Sequence, residues 1–323
     1  MSNASDRLTF VNRLTLNEGD RRKLAQAATR GAQSRVARGV YMDAAAWAQL
    51  DEDLRYLARV RAVVGTRRNR PVLSHWSAAV VHGLPIVGRW PNAVHTTVAP
   101  TAGGRNRNGI VAHTARLADE DVVEVDGLLV TSITRTVLDV AACASFMVAV
   151  TMVDHVLHVD RFHRSAPAAV RSDLDAQFER ARPMRAHARV RRVFAFAETR
   201  ADTPIESVSR VNMLAIGCPR PLLQSAFRDR FGFIGETDFD WPDFGLLGEA
   251  DGARKYLDAA YRSGRTVEQV MLDEKDREDR LRALPRSVSR WRWRVGVNPG
   301  LLRAHLSAAG LPMGVPWDWH IRD

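Results

Sequence analysis

"TDFDWPDFGLLGEAD", residues 237–251, reads by alternation as two strands joined by a tight turn. Phe239 and Trp241 share one face of the first strand, Asp238 and Asp240 share the other, and Pro242 and Gly245 mark the turn before the chain returns as Leu246 to Asp251. Pairing Trp241 with Leu246 sets Asp238 opposite Glu249, with Asp251 two residues on along the same face. Opposed like charges destabilise an antiparallel pair, so the arrangement asks for a positive group between them. Two readings stand. In one, Asp238, Glu249 and Asp251 supply hard oxygen ligands to a divalent cation, Mg2+ or Mn2+. In the other, the acids are the solvated face of a two-stranded ribbon, and a one-residue slip in register would scatter them.

A chain of 323 residues, 46% hydrophobic and 26% charged, has room for two or three domains with proper cores. The opening MSNASDRLTF lacks the pattern of a secretory signal, and the longest apolar run, Val140 to Val153, is too short to span a bilayer, so no membrane partner is expected. Cys143 and Cys218 form no CxxC pattern, which argues against a disulfide framework or a structural zinc and fits a reducing cytoplasm. The net charge of +10 points to an anionic partner, most economically nucleic acid, although an Arg-rich and Ala-rich composition also follows from coding bias. Residues 1–199 carry 28 basic against 19 acidic side chains and the remainder 19 against 18, so the excess lies in the first two-thirds. Only three residues are lysines, Lys23, Lys255 and Lys275, and two of them fall close after the acidic hairpin, where a compact ammonium differs in use from a guanidinium fork.

Near the start, Asp20 to Gly31 reads as a short helix capped by Asp20 and stopped by Gly31, with Arg22, Lys23, Gln26 and Arg30 facing outward. Ser34 to Met42 follows as a hairpin with Arg35 and Arg38 about its turn. A basic helix and a basic hairpin outline a winged helix-turn-helix, in which the helix enters the major groove and the wing touches phosphates. A solvated helix and hairpin is the plain alternative. Further on, "LSHWSAAVVHGLP" reads as a helix ending at Gly83, "AVHTTVAP" and "GIVAHTARL" as strands, and "VTSITRTVLDVAACA" as a strand passing into a buried helix. His75 and His82, with no third ligand in view, read as helix-packing histidines.

"RVARGVYM", "SHWSAAVVHGLP" and "DGLLVTSITRTVLDVA", in that order, resemble the AbiEi-family antitoxin regulators of bacteria over roughly residues 8–155. The resemblance implies a winged-helix domain over 1–48, a mixed α/β domain over 49–158, DNA binding with promoter autoregulation, and a nucleotidyltransferase-like toxin as a partner. An Arg-rich helical connector is expected over 159–199.

Thr203, Pro204 and Glu206 have the spacing of a capped helix start with Glu206 reaching back to the cap residue. Glu206 has a second reading. A helix with Glu206, a hairpin with Asp238 and Glu249, then a further helix and strand is the order of a PD-(D/E)XK restriction-endonuclease-like core. "ETDFDWPDFGLLGEADGARKY" with "DEKDREDRLRAL" and "VSRWRWRV" resembles the Vsr-like family related to very-short-patch repair endonucleases, over roughly residues 200–305 within a domain taken as 200–323. That resemblance implies that Asp238 and Glu249 hold a divalent metal, with Asp251 as a further ligand or a water-positioning group. Two departures stand out: Asp251 occupies the lysine position of the ExK pattern, and the basic residue after the Asp-Gly pair is Lys255.

Hydrolysis of a phosphodiester needs an activated water, neutralisation of transition-state charge and protonation of the leaving oxygen. Lys255 could stabilise the developing charge, and Lys275 and Arg277 on the next helix either pair with flanking phosphates or serve i,i+4 ion pairs within that helix. On the following strand, Trp291, Trp293 and Val295 are expected on one face and Arg290, Arg292 and Arg294 on the other. The fold class expected is mixed α/β, and the function expected is a DNA-binding protein with a metal-dependent endonuclease domain. The alternative is a regulator whose nuclease-fold domain is silent and serves DNA contact or a homodimer.

Overall fold

The computed structural model describes residues 8–11, 18–104, 106–107, 109–160, 165–251 and 267–317. The fold is mixed α/β, and among the described residues no helix is long and apolar enough to cross a membrane. The chain forms two compact units, one from residues up to Ala144 together with Arg171–His187, the other from Ser145–Val170 and Ala188 onward. This division differs from boundaries near 48, 158 and 199, for reasons visible in the packing.

In the first unit β1 (Thr9–Phe10), α1 (Glu18–Thr29), β2 (Gln33–Ala37) and β3 (Val40–Asp43) form a helix against a small sheet of order β1-β3-β2. Helix α1 begins before Asp20, which therefore lies inside its first turn rather than at its cap, and residues 12–17 fall outside the described segments. The hairpin β2-β3 is the expected one. After α2 (Ala44–Gln49), capped by Asp43 accepting from Ala46 N at 2.9 Å, comes α3 (Glu52–Gly65), capped by Asp51 accepting from Leu54 N at 2.8 Å. Ala58 and Ala62 of α3 pack on Val36, Val40 and Met42 of the hairpin, while Tyr56, Val60 and Val63 pack on the next sheet. One helix thus buries two faces, one on the hairpin and one on the next sheet.

That next sheet has order β6-β5-β4-β8-β7, from β4 (Val72–Leu73), β5 (Val94–Val98), β6 (Ile110–Thr114), β7 (Val122–Val125) and β8 (Leu128–Thr131). It carries α4 (His75–Val81), and α5 (Ile133–Cys143) packs on α4. The apolar run 140–153 is two helices: α5 ends before Ala144, and Ser145 caps α6 (Phe146–Leu157) by accepting from Val148 N. The two flanking acids are each held by an arginine of their own unit, Asp139 by Arg135 at 2.9 Å and Asp154 by Arg210 at 2.7 Å. The expected connector divides likewise, α7 (Arg171–Arg180) joining the first unit and α8 (His187–Phe196) lying almost wholly in the second.

The second unit is built on a four-stranded sheet of order β12-β11-β10-β9, comprising β9 (Leu222–Asp229), β10 (Gly232–Trp241), β11 (Leu246–Asp251) and β12 (Ser287–Arg292). Strands β9, β10 and β11 are successively antiparallel, and β12 returns parallel to β11 after α10 (Val267–Arg282). One face buries Phe239, Trp241, Leu246, Ala250 and Trp291 with Ile205 and Met213 of α9 (Pro204–Ile216). On the other, Ile234 and Leu247 pack with Leu281 of α10. Gly248 is obligatory in the first layer, because a Cβ there would lie 2.9 Å from both Trp241 and Trp291. Arg292 ends the last strand, and Trp293–Gly296 form a short helix, α11, before α12 (Pro299–Ala308). Trp293 and Val295 therefore do not continue the face of Trp291, and Trp293 is exposed.

Candidate functional site

The hairpin register is the one alternation demands: Trp241 pairs with Leu246, Asp240 with Leu247 and Phe239 with Gly248. One step further the Asp238 carboxylate itself enters the sheet, Oδ2 accepting the Ala250 amide at 2.7 Å. Asp238, Asp240 and Glu249 are 9%, 5% and 5% exposed, so the solvated-ribbon reading fails. Three buried acids on one sheet face need compensation.

Much of that compensation comes from arginine. Arg277 on α10 donates to Glu249 Oε1 at 2.7 Å, Arg290 on β12 lies 2.6 Å from Glu249 Oε2, and Arg286 pairs with Asp240. The same Arg277 nitrogen donates to the Glu236 carbonyl at 2.6 Å. Gly235 makes this approach feasible, since a Cβ there would lie 2.6 Å from Arg277 Nε. Arg277 thus turns into the acidic face, and Arg290 is engaged in the same way. Consequently the opposed acids are not by themselves a sign of metal, because guanidinium groups already offset their charge.

A different pair of carboxylates converges. Glu206, 2% exposed at the start of α9, accepts the Asp202 amide at 3.0 Å and the Thr203 hydroxyl at 2.6 Å. The carboxylate thus reaches back to the cap residue Thr203 as expected and takes the Asp202 amide as well, but the Glu206 amide bonds the Thr203 carbonyl instead of its side chain, so the reciprocal capping box is not formed. Gln224 on β9 closes the gap: its Nε2 donates to Glu206 Oε2 at 2.9 Å and to Asp238 Oδ1 at 3.3 Å. The neighbouring pairs Thr237 with Ser225 and Phe239 with Leu223 place Gln224 opposite Asp238, and its backbone sits at φ +49, in the left-handed region. Sequence reasoning missed Gln224. Its only signal is a polar residue after two leucines, and that becomes informative only once the β9 register is known.

Two carboxylate oxygens meeting on one nitrogen fit a hard cation there. Glu249 does not complete the set, since both its oxygens face guanidinium groups, and among the described residues no three His, Cys, Asp or Glu side chains are grouped to hold a metal ion. Asp251 ends β11, half-buried beside Arg292 in the parallel register. Lys255 lies outside the described residues. Among the described residues, Glu249 is thus engaged by two arginines, while Glu206 and Asp238 meet at Gln224.

Of the residues expected to face DNA, Arg22, Lys23, Gln26, Arg30, Arg35 and Arg38 are all exposed, as is Lys275 on α10. His82 is a packing histidine, bonded to the Thr131 carbonyl at 2.8 Å. His75 is not isolated: its ring stacks on His113 at 3.6 Å between centroids, and His113 Nε2 lies 2.9 Å from His95 Nδ1. Burial first, then its neighbours His113, His95 and Arg135, pushes the His75 pKa down to about 2, and burial with His113 lowers His95 to about 4. Burial raises nearby Asp139 to about 6 against the pull of Arg135.

No family model matches the chain. Two uncharacterized proteins of Mycobacterium tuberculosis, from strains CDC 1551 and H37Rv, are each 33% identical to it over 79 residues, which is 24% of this chain and 29% of theirs. The chain thus spans less than a third of the length of the curated relatives it matches.

Proposed function

We propose that the chain is a bacterial DNA-binding protein whose second unit is a metal-dependent endonuclease domain of the Vsr-like, PD-(D/E)XK kind, carried behind an AbiEi-like regulator. The observation that supports this is the meeting of Glu206 and Asp238 on one nitrogen, in a unit whose elements run helix, three antiparallel strands, helix, parallel strand. The resemblance implied metal on the hairpin acids; the geometry favours moving it to Asp238 with Glu206. Bound there, Mg2+ or Mn2+ would act as a Lewis acid and lower the pKa of a coordinated water. The chain's own groups do the positioning. The Ala250 amide fixes Asp238, Asp202 and Thr203 fix Glu206, and Arg277 and Arg290 set a cationic border whose forks suit phosphate oxygens as well as Glu249. The exposed basic residues of α1 and the β2-β3 hairpin would hold duplex DNA through phosphates.

The test is Mg2+- or Mn2+-dependent cleavage of supercoiled, linear and mismatched duplex DNA, beside Asp238→Asn and Glu206→Gln. Cutting that both substitutions abolish while DNA binding survives supports the proposal. No cutting on any substrate with DNA still bound refutes it. A second reading, a regulator with a silent nuclease fold serving DNA contact or a homodimer, is favoured by one observation: Glu249 is neutralised by two arginines with no need of a cation.

A further inference from the structure

The turn that joins β9 to β10 carries the most exposed large apolar side chain among the described residues, Phe231 at 72%, with Phe233 at 51% two residues on. Scattered surface phenylalanines need no explanation, but this pair sits on a turn that is held in place. Asp229 accepts the Phe231 amide at 2.8 Å and takes the fork of Arg280, from α10, at 2.6 and 2.9 Å. Arg280 also reaches the Gly232 and Phe233 carbonyls, at 3.3 and 3.4 Å. Gly232, at φ +106, lets the chain turn back into β10. Each ring has a guanidinium beside it: Arg230 lies 4.6 Å from the centre of Phe231, and Arg228, the cross-strand partner of Phe233, lies 5.7 Å from the centre of that ring. Arg280 takes the acid of the turn, and among the described residues neither Arg228 nor Arg230, both exposed, forms an ion pair. With β9 the outer strand of its sheet, no further strand among the described residues covers this edge.

We infer that this turn is a stacking platform for unpaired bases of a DNA strand, with Phe231 and Phe233 offering ring faces to the bases and Arg228 and Arg230 their charge to the adjoining phosphates. The inference rests on the DNA reading proposed above and names the form of DNA that the second unit takes. A nucleotide joins a flat apolar face to an anion, and the turn presents the complement of both within six residues. An apolar protein partner has no use for two uncommitted guanidinium groups, and a phosphate alone has none for the rings. Bases inside a duplex already stack on each other, so the rings are served by bases that are single-stranded or looped out. Because Arg280 and Asp229 fix the turn beforehand, docking a strand costs little ordering of the protein.

The experiment is binding of the full chain to three fluorescein-labelled DNA probes, read by anisotropy: a single strand, a duplex with a bulge of three unpaired bases, and a fully paired duplex. Wild type is compared with Phe231→Leu, Phe233→Leu, Phe231→Trp and Arg230→Gln, all exposed positions at which a melting curve checks that folding is kept. Stacking predicts that wild type prefers the single strand or the bulge to the paired duplex. Each leucine, apolar but without a ring, should weaken the preferred probe roughly five-fold or more and leave the paired duplex unchanged, and Phe231→Trp should retain or tighten it. Arg230→Gln should lower the slope of log K against log salt by about 0.7 to 1. A single strand bound more tightly than the bulge assigns the bases to a free strand, and the reverse assigns them to a distorted duplex; both support the inference. Leucine variants that bind every probe as wild type does overturn this inference alone and leave the DNA reading standing. If the same variants lose a self-association seen by sedimentation while their DNA affinity is unchanged, the rings serve a second copy of the chain and the inference fails. No binding of any probe by wild type overturns the DNA reading and this inference with it.

Discussion

Arg277 and Glu249 are joined within the second unit at 2.7 Å, so an arginine that the sequence offers to phosphate or to an ion pair within its helix meets the carboxylate that the sequence offers to metal. Glu249 is buried, and Arg290 stands at its other oxygen, so removing Arg277 leaves it half-compensated. Arg277→Met is expected to destabilise the protein by about 1–3 kcal/mol, below the roughly 3–5 kcal/mol of a buried ion left wholly alone. Urea denaturation measures this, and Glu249→Gln combined with Arg277→Met should lose less than the two single losses added together. Strictly additive losses would mean that the contact carries no coupling.

Much of the hairpin could be read from sequence because its information is local. A period of two and the turn at Pro242–Gly245 fix which side chains share a face, and β10 and β11 pair in that register. Gln224 and Arg290 were not legible as site residues, since their roles depend on strands that pair across longer connections, and a run of arginines on one strand face looks the same whether it meets phosphate or a buried acid. Trp293 was misplaced because alternation does not reveal where a strand stops; Arg292 ends β12 and a short helix begins. Likewise the run 140–153 looks like one buried helix until Ser145 is recognised as a cap.

Gly248 sits between Trp241, Trp291 and Phe239, and its missing side chain is what lets the three rings close over β11. Gly248→Ala would put a methyl 2.9 Å from two of them, in a layer with no slack. The expected outcome is overpacking worth about 1–3 kcal/mol, seen as a lowered melting temperature. Gly39, where a Cβ would meet nothing within 4 Å, is held by its φ of +72, and Gly39→Asn should be milder because Asn tolerates that region.

The histidines of the first unit make stability depend on acid. His75 and His95 are depressed to about 2 and about 4 in the folded chain, and His113 is lowered as well, against about 6.5 when unfolded. Below about pH 6.5 the unfolded chain therefore takes up protons that the folded chain declines, and stability falls as pH drops from there towards 4. Asp139 works in the opposite sense: raised to about 6, it binds its proton earlier when folded and offsets part of the loss. Wild type should be less stable at pH 5 than at pH 7.5, His95→Gln should narrow that difference, and Asp139→Asn should widen it. Denaturation at the two pH values reads all three, and a wild type indifferent to pH would contradict the neutral histidine cluster.

The DNA-binding proposal makes its sharpest prediction through salt. Arg22, Lys23 and Arg30 on α1 and Arg35 and Arg38 on the hairpin are exposed, whereas the arginines of the acidic face are engaged by Glu249 and Asp240. If the first group meets phosphates, duplex affinity falls steeply with ionic strength, and each contact removed lowers the slope of log K against log salt by about 1. Lys23→Ala and Arg35→Ala should each do so, nearly alike across DNA sequences, since phosphate contacts position the protein without reading bases. Gln26→Ala should leave the slope unchanged and alter preference among sequences, because an amide can read a base edge but carries no charge. Fluorescence anisotropy titrations over a range of salt separate the two outcomes, and slopes untouched by both charge removals would place the DNA contact elsewhere on the chain.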